Sequence, residues 1–335
     1  GQFEKALENA RESLSLKPDG ANGYVNLAGT YIALNRLDEA KATLNAALAR
    51  NLGGTPVYES LAAIAILQGD KAAQEKEDAL ARSSPQGQAD LLFRDWILAM
   101  SRGQVRQGRQ TLKQAVDMAE RQDLKEEAAA ALGEQAVVEG EFGNRAEAAS
   151  TAEAALALSH GPYVTLSAAQ AYALAGGDAK AQALAGEVAK ARPDDTSVQS
   201  VWVPDIQAIL ELNHGNAGKA AQLLDPAVPY DRGAFGGLRY TRGRAYILTG
   251  RAADAVPEFE GVANFRNAAF AGSSGALLDV PLTVLAGLGV ARAYAAQGDK
   301  VKARTTYQDF LAAWKDADPD VPILKEAKAE YAKLQ

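Results

Sequence analysis

The sequence predicts an all-α fold, a right-handed superhelical solenoid of stacked helix pairs, and three observations carry that prediction. Alanine supplies 71 of the 335 residues, much of it spaced three or four apart, as helices packed closely over small side chains require. A turn residue followed five positions later by a small one recurs along the whole chain. Runs of alternating β-branched and aromatic residues, the mark of strands, are nearly absent.

The turn positions are Gly1, Asn35, Gly69, Gly103, Gly143, Gly176, Gly215, Gly250 and Gly298, with successive spacings of 34, 34, 34, 40, 33, 39, 35 and 48. Five residues on stand Ala6, Ala40, Gln74, Gly108, Ala148, Ala181, Ala220, Ala255 and Ala303. A period of 34 with a turn in its middle is the length of two short helices and their connectors. Tyr31, Tyr172, Tyr246 and Tyr294 stand four residues before their turns, and Pro18 and Pro193 stand seventeen after theirs. There a missing N–H and a fixed φ end the second helix. On these residues the chain resembles the tetratricopeptide repeat family.

Taken in order, residues 1–20 read as the second helix of a half repeat, which leads us to expect that the natural protein continues upstream. Residues 21–193 hold the more regular repeats, clearest over Ala21 to Gly53 and Pro162 to Asp195. The stretch 89–122 departs from the pattern, with Gly108 in the small-residue slot. Residues 194–321 carry further repeats, one with Pro204 inside its expected first helix and one with an insertion over 261–281 containing Phe265, Phe270 and AGSSG. That insertion reads as a solvent loop pinned by its Phe side chains, or as a lid over the concave face. Residues 322–335 read as a capping helix, so that 1–335 forms one solenoid of a half repeat, eight pairs and a cap.

A narrower resemblance covers Asp194 to Gln335 through VWVPDIQAILELNHG, LDPAVPYDRG, LRYTRGRAYILTGRAADAVPEFEGV, LAGLGVARAYAAQGDKVKARTTYQDFLAAW and WKDADPDVPILKEAKAEYAKLQ. These resemble the C-terminal tetratricopeptide regions of acidobacterial eukaryotic-like serine/threonine protein kinases, and similar tails follow winged-helix DNA-binding domains. The resemblance implies a sensing or docking array behind a catalytic or DNA-binding head, with a membrane anchor upstream and an extracytoplasmic position. It places no kinase in this chain, since HRD and DFG motifs are absent.

Composition narrows the rest. Lys plus Arg is 35 against 42 Asp plus Glu, a net charge of −7, which disfavours a nucleic-acid binder. With no cysteine and only His160 and His214, thiolate sites are excluded and no metal or other cofactor is expected. The run VPLTVLAGLGVA, twelve residues, is too short to span a bilayer. Asp316, Asp318 and Asp320 have the odd-position spacing of a calcium loop but lack its Gly and Glu, so we expect them to cap the last helix.

The concave face of such an array is lined by one stripe of each first helix, which includes Tyr163, Gln170, Tyr240, Arg244 and Arg292. Arg244 and Arg292 share a slot and could grip carboxylates of a partner, or else pair with local Asp and Glu. The four slot tyrosines and Trp96, Trp202 and Trp314 read as packing residues. The expected function is non-catalytic binding of a protein or peptide, as the regulatory region of a kinase. The alternative is a self-associating scaffold or the tail of a winged-helix regulator. An enzyme of the helical-toroid type would instead require a deep pocket with carboxyls of raised pKa.

Overall fold

The computed structural model describes residues 3–231, 236–264, 270 and 280–334. Eighteen α-helices and no strand occur among the described residues, and the protein is an all-α solenoid of helix pairs. The helices are α1 (Phe3–Leu16), α2 (Ala21–Ala33), α3 (Leu37–Ala49), α4 (Thr55–Gln68), α5 (Lys71–Ala81) and α6 (Pro85–Ser101). Then come α7 (Val105–Arg121), α8 (Lys125–Glu141), α9 (Arg145–Leu158), α10 (Pro162–Ala175), α11 (Asp178–Ala191) and α12 (Val203–Asn213). The last are α13 (Ala217–Leu224), α14 (Gly236–Leu248), α15 (Ala252–Ala263), α16 (Val280–Gln297), α17 (Lys300–Ala313) and α18 (Pro322–Ala332).

The repeat is written in the backbone. Asn35, Gly69, Gly103, Gly143, Gly176, Gly215, Gly250 and Gly298 all have φ between 58° and 84°, the left-handed conformation that ends a helix in a tight reversal. Five residues later Ala40, Ala148, Ala181, Ala220, Ala255 and Ala303 are fully buried, so the second helix of each pair lies close against the first. Gly108 serves the same end, because a Cβ there would come within 2.5 Å of Met100 Sδ. Tyr31 and Tyr172 are buried, while Tyr246 and Tyr294 are half-buried. Each ring carries a cation from its own turn or following helix, Arg36 at 5.0 Å, Lys180 at 4.5 Å, Arg251 at 4.1 Å and Lys302 at 5.1 Å.

The irregularity at Pro204 is a π-turn over Val198–Trp202, in which the N–H of Val203 donates to the carbonyl of Val198. Residues 196–213 run on as one continuous helix, and the wider turn just before Pro204 accommodates its ring and missing N–H. Of the insertion, Phe265 and AGSSG lie outside the described residues, and Phe270 is buried.

The helices group into two compact units, Gly1–Asp95 with Asn264–Val280, and Trp96–Ala263 with Pro281–Gln335. In the first unit Arg94 donates to both carboxylate oxygens of Asp78 at 2.7 Å, with side chains 7% and 5% exposed. The second unit is tied end to start. Trp314, after α17, donates its indole N–H to the carbonyl of Ser101 at 2.9 Å and stacks edge-on against Phe142, centroids 5.1 Å apart. The N–H of Asp318 donates to Gly103 O and that of Ile323 to Phe142 O, satisfying carbonyls beyond the ends of α6 and α8. Side chains larger than hydrogen would obstruct this return, since a Cβ on Gly103 would meet Ala317 at 2.6 Å.

The acidic run corrects one expectation. The N-cap of α18 is Val321, with no side-chain bond. Asp318 instead accepts from the N–H of Arg106 at 2.8 Å, and Asp320 takes the Arg106 guanidinium at 2.8 Å. The carboxylates sit at the positive end of α7, a helix more than 200 residues earlier, because the returning segment lies against that end and not over its own helix.

Candidate functional site

Within the second unit the first helices of successive pairs, α8, α10, α12, α14 and α16, turn one stripe inward. Counted back from the turn glycines, Gln170, Arg244 and Arg292 share the sixth position, Asp205 and Tyr240 the tenth, and Glu141 and Asn213 the second. These positions are four apart, so they form a single face. The first two positions were legible as a concave-face slot. Glu141 and Asn213 were missed, although extending the stripe by four residues toward the turn reaches them, and Asp205 was missed although it shares the position of Tyr240.

A pocket of about 230 Å³ opens on this face, lined by Glu141, Arg145, Asn213, Tyr240, Arg244, Arg292 and Glu326 among others. Of the sequence-predicted residues it brings together Tyr240, Arg244 and Arg292. Gln170 stands off it and donates to Asp205 Oδ2 at 2.9 Å. Tyr163 is 38% exposed and packs edge-on against Trp202, centroids 5.6 Å apart. Tyr240 is held by Phe259, edge-on at 5.5 Å, and Phe259 has room only because glycines occupy 243 and 289. Burial pushes the Tyr240 hydroxyl up to about 12, so it stays a proton donor.

The two slot arginines differ. Arg292 is saturated by the last helix, donating to Glu330 at 2.9 and 3.0 Å and to Glu326 at 3.2 Å. Despite burial, those carboxylates hold its pKa above the ordinary value. Arg244 makes no hydrogen bond among the described residues, and its nearest carboxylate oxygen, on Glu141, is 3.9 Å away. The Glu141 side chain is 12% exposed, and burial pushes its carboxyl up to about 7, against the pull of Arg244. Asp205 is 5% exposed, its Oδ1 without a partner, and burial raises it to about 6.

A pocket with a carboxyl of raised pKa is what a helical-toroid enzyme requires, and Glu141 supplies one. The other lining carboxylate, Glu326, is 60% exposed and pairs with Arg292 at 3.2 Å, and the second buried carboxyl of raised pKa, Asp205, lies near enough to raise Glu141 further. Among the described residues no group of three or more His, Asp or Glu could hold a metal ion, and no helix is long and apolar enough to cross a membrane. His214 pairs with Asp178 at 2.6 Å, and His160 precedes α10.

A profile of the tetratricopeptide repeat matches residues 1–65. No curated protein sequence matches the chain. Among solved structures the chain is similar to the human IFIT1 dimer with m7Gppp-AAAA, at 16% identity and a TM-score of 0.51, covering 100% of this chain and 77% of that one. The human IFIT1 dimer with PPP-AAAA is similar at 15% identity and 0.50, over 100% and 76%. A tetratricopeptide repeat protein from Parabacteroides merdae is similar at 15% identity and 0.42, over 81% and 96%. The two likenesses at TM-scores of 0.50 and 0.51 agree with the fold, an all-α solenoid of helix pairs.

Proposed function

We propose that the chain binds a protein or peptide along the inner face of its second unit, as the non-catalytic regulatory or sensor region of a bacterial serine/threonine protein kinase. The observation that supports binding there is Arg244, a guanidinium with no hydrogen bond in a walled pocket. Five N–H donors in a fixed fork suit a carboxylate of the partner. The kinase context rests on the resemblance of residues 194–335 alone. The most specific segment of that resemblance, 314–335, is also the segment that ties the unit to its start, which gives its residue choices a physical reason.

Panning a displayed random-peptide library against the immobilised chain tests the binding reading. Acidic peptides should be enriched, and the double variant Arg244→Glu, Arg292→Glu should lose them by tenfold or more, about 1.4 kcal/mol. Enrichment that survives the double variant moves the site elsewhere. Light scattering at twice the 35.2 kDa of one chain, without any peptide, would favour the self-associating scaffold. Reading the frame upstream of Gly1 tests the kinase context, which requires HRD and DFG motifs and is lost to a winged-helix domain.

The IFIT1 structures are of complexes with PPP-AAAA and m7Gppp-AAAA. A chain of phosphates needs a continuous cationic groove, and here Glu141, Glu326 and Glu330 stand among the arginines, so the protein-binding reading is preferred.

A further inference from the structure

We infer that the pocket of the second unit takes up a carboxylate together with one proton, the proton residing on Glu141 and shared with the bound group, while Arg244 grips the other side. This rests on the binding reading above and names its ligand chemistry and its control.

The argument starts from what is unspent. Elsewhere shielded ion pairs are tight, Arg94 with Asp78 at 2.7 Å and Arg109 with Glu139 at 2.6 and 2.9 Å. Arg244 and Glu141 instead face one another at 3.9 Å, neither with a hydrogen bond among the described residues. The side chain of Arg145, at the same pocket, likewise makes no hydrogen bond among the described residues. Glu141 is also the last residue of α8, where the negative end of the helix dipole opposes a carboxylate.

A cationic ligand would meet the guanidiniums of Arg145, Arg244 and Arg292. A bare anion would meet Glu141, with Glu326 across the pocket and Asp205 near enough to raise Glu141. Protonation of Glu141 removes that conflict and turns a repelling group into an O–H donor. Its carboxyl titrates at about 7, so the proton is available near neutrality, and the Tyr240 hydroxyl stays protonated beside it. A volume of about 230 Å³ gives room for one acidic side chain or one chain end.

The test is calorimetric titration of the whole chain with two capped tripeptides, one presenting a single Glu side chain between blocked ends and one presenting only a free C-terminal carboxylate. Whichever source binds, affinity should be highest between about pH 5 and 7, fall about tenfold per pH unit above that, and fall again below it as the ligand carboxylate itself protonates. Buffers of different ionisation enthalpy should report uptake approaching one proton per peptide at about pH 8. Glu141→Gln keeps the shape and a donor, so binding should persist without proton uptake or the fall above about pH 7. Arg244→Met should abolish binding at every pH. Arg244-dependent binding with no proton uptake, or with release, overturns this inference and leaves the binding reading standing. No binding of either tripeptide up to its solubility limit overturns the inference, and acidic library peptides that still need Arg244 would again preserve the broader reading.

Discussion

The two compact units bury the same kind of helix pair in different ways. In the first, bonds such as Arg11 to Tyr31, Arg50 to Asp19 and Arg94 to Asp78 join neighbouring repeats. In the second, comparable neighbour bonds are joined by contacts 212 to 214 residues apart, Asp318 to Arg106, Trp314 to Ser101 and Asp320 to Arg106. A linear array is stabilised as a sum of neighbours. A unit whose last segment lies on its first shares any loss among all its members, and its inner face becomes a walled pocket instead of an open groove.

The largest test of that difference is Trp314→Ala. The indole is 2% exposed and touches Phe142 and Phe310, so its loss should cost about 3–5 kcal/mol. Hydrogen exchange should then rise at residues 101–143 as well as 300–334, with residues 3–95 unchanged. Exchange confined to the last helices would show that the unit behaves as a linear array after all. Next is Asp78→Ala in the first unit, which leaves a guanidinium 7% exposed with only the 3.1 Å bond to Asp95 and should cost about 3 kcal/mol, with exchange rising only around α4, α5 and α6.

A third effect is pH-dependent. Glu141 is raised from 4.5 to about 7, so the folded state holds a proton that the unfolded chain releases within that window. Stability of the second unit therefore falls as pH rises from about 4.5 to 7, by about 1–3 kcal/mol, and Glu141→Gln should flatten the decline in urea titrations. Asp205 in the same unit, raised to about 6 by burial, and Glu59 in the first unit, raised to about 7 by burial and by Asp90, move the same way and should leave a residual slope in that variant. The smallest is Asp318→Ala, which removes a cap from α7 and should cost about 1 kcal/mol by the same titration.

How much of this the residues foretold follows from range. The turns were legible because a left-handed φ selects Gly or Asn at Asn35, Gly143 or Gly298, and the close approach selects Ala at Ala148 or Ala303. Both demands are local and repeat with the period. The slot that carries Arg244 and Arg292 was legible for the same reason. The return of Trp314 and Asp318 was not, because it has no period and joins residues with no relation in sequence. Asp318 read as a cap for its own helix on proximity alone. Glu141 escaped notice because a glutamate at a helix end is ordinarily solvated, and only burial among α10, α14 and α18 makes it unusual.

The return of the chain also sets an order in time. During synthesis, at roughly 5–20 residues per second, the helices from α7 to α16 emerge and can pair with their neighbours well before residues 314–323 have left the ribosome. Until then Ser101, Gly103 and Phe142 lack the groups that complete them, and Arg292 lacks Glu330. The nascent second unit therefore passes through an unlatched stage whose inner face is open to other chains.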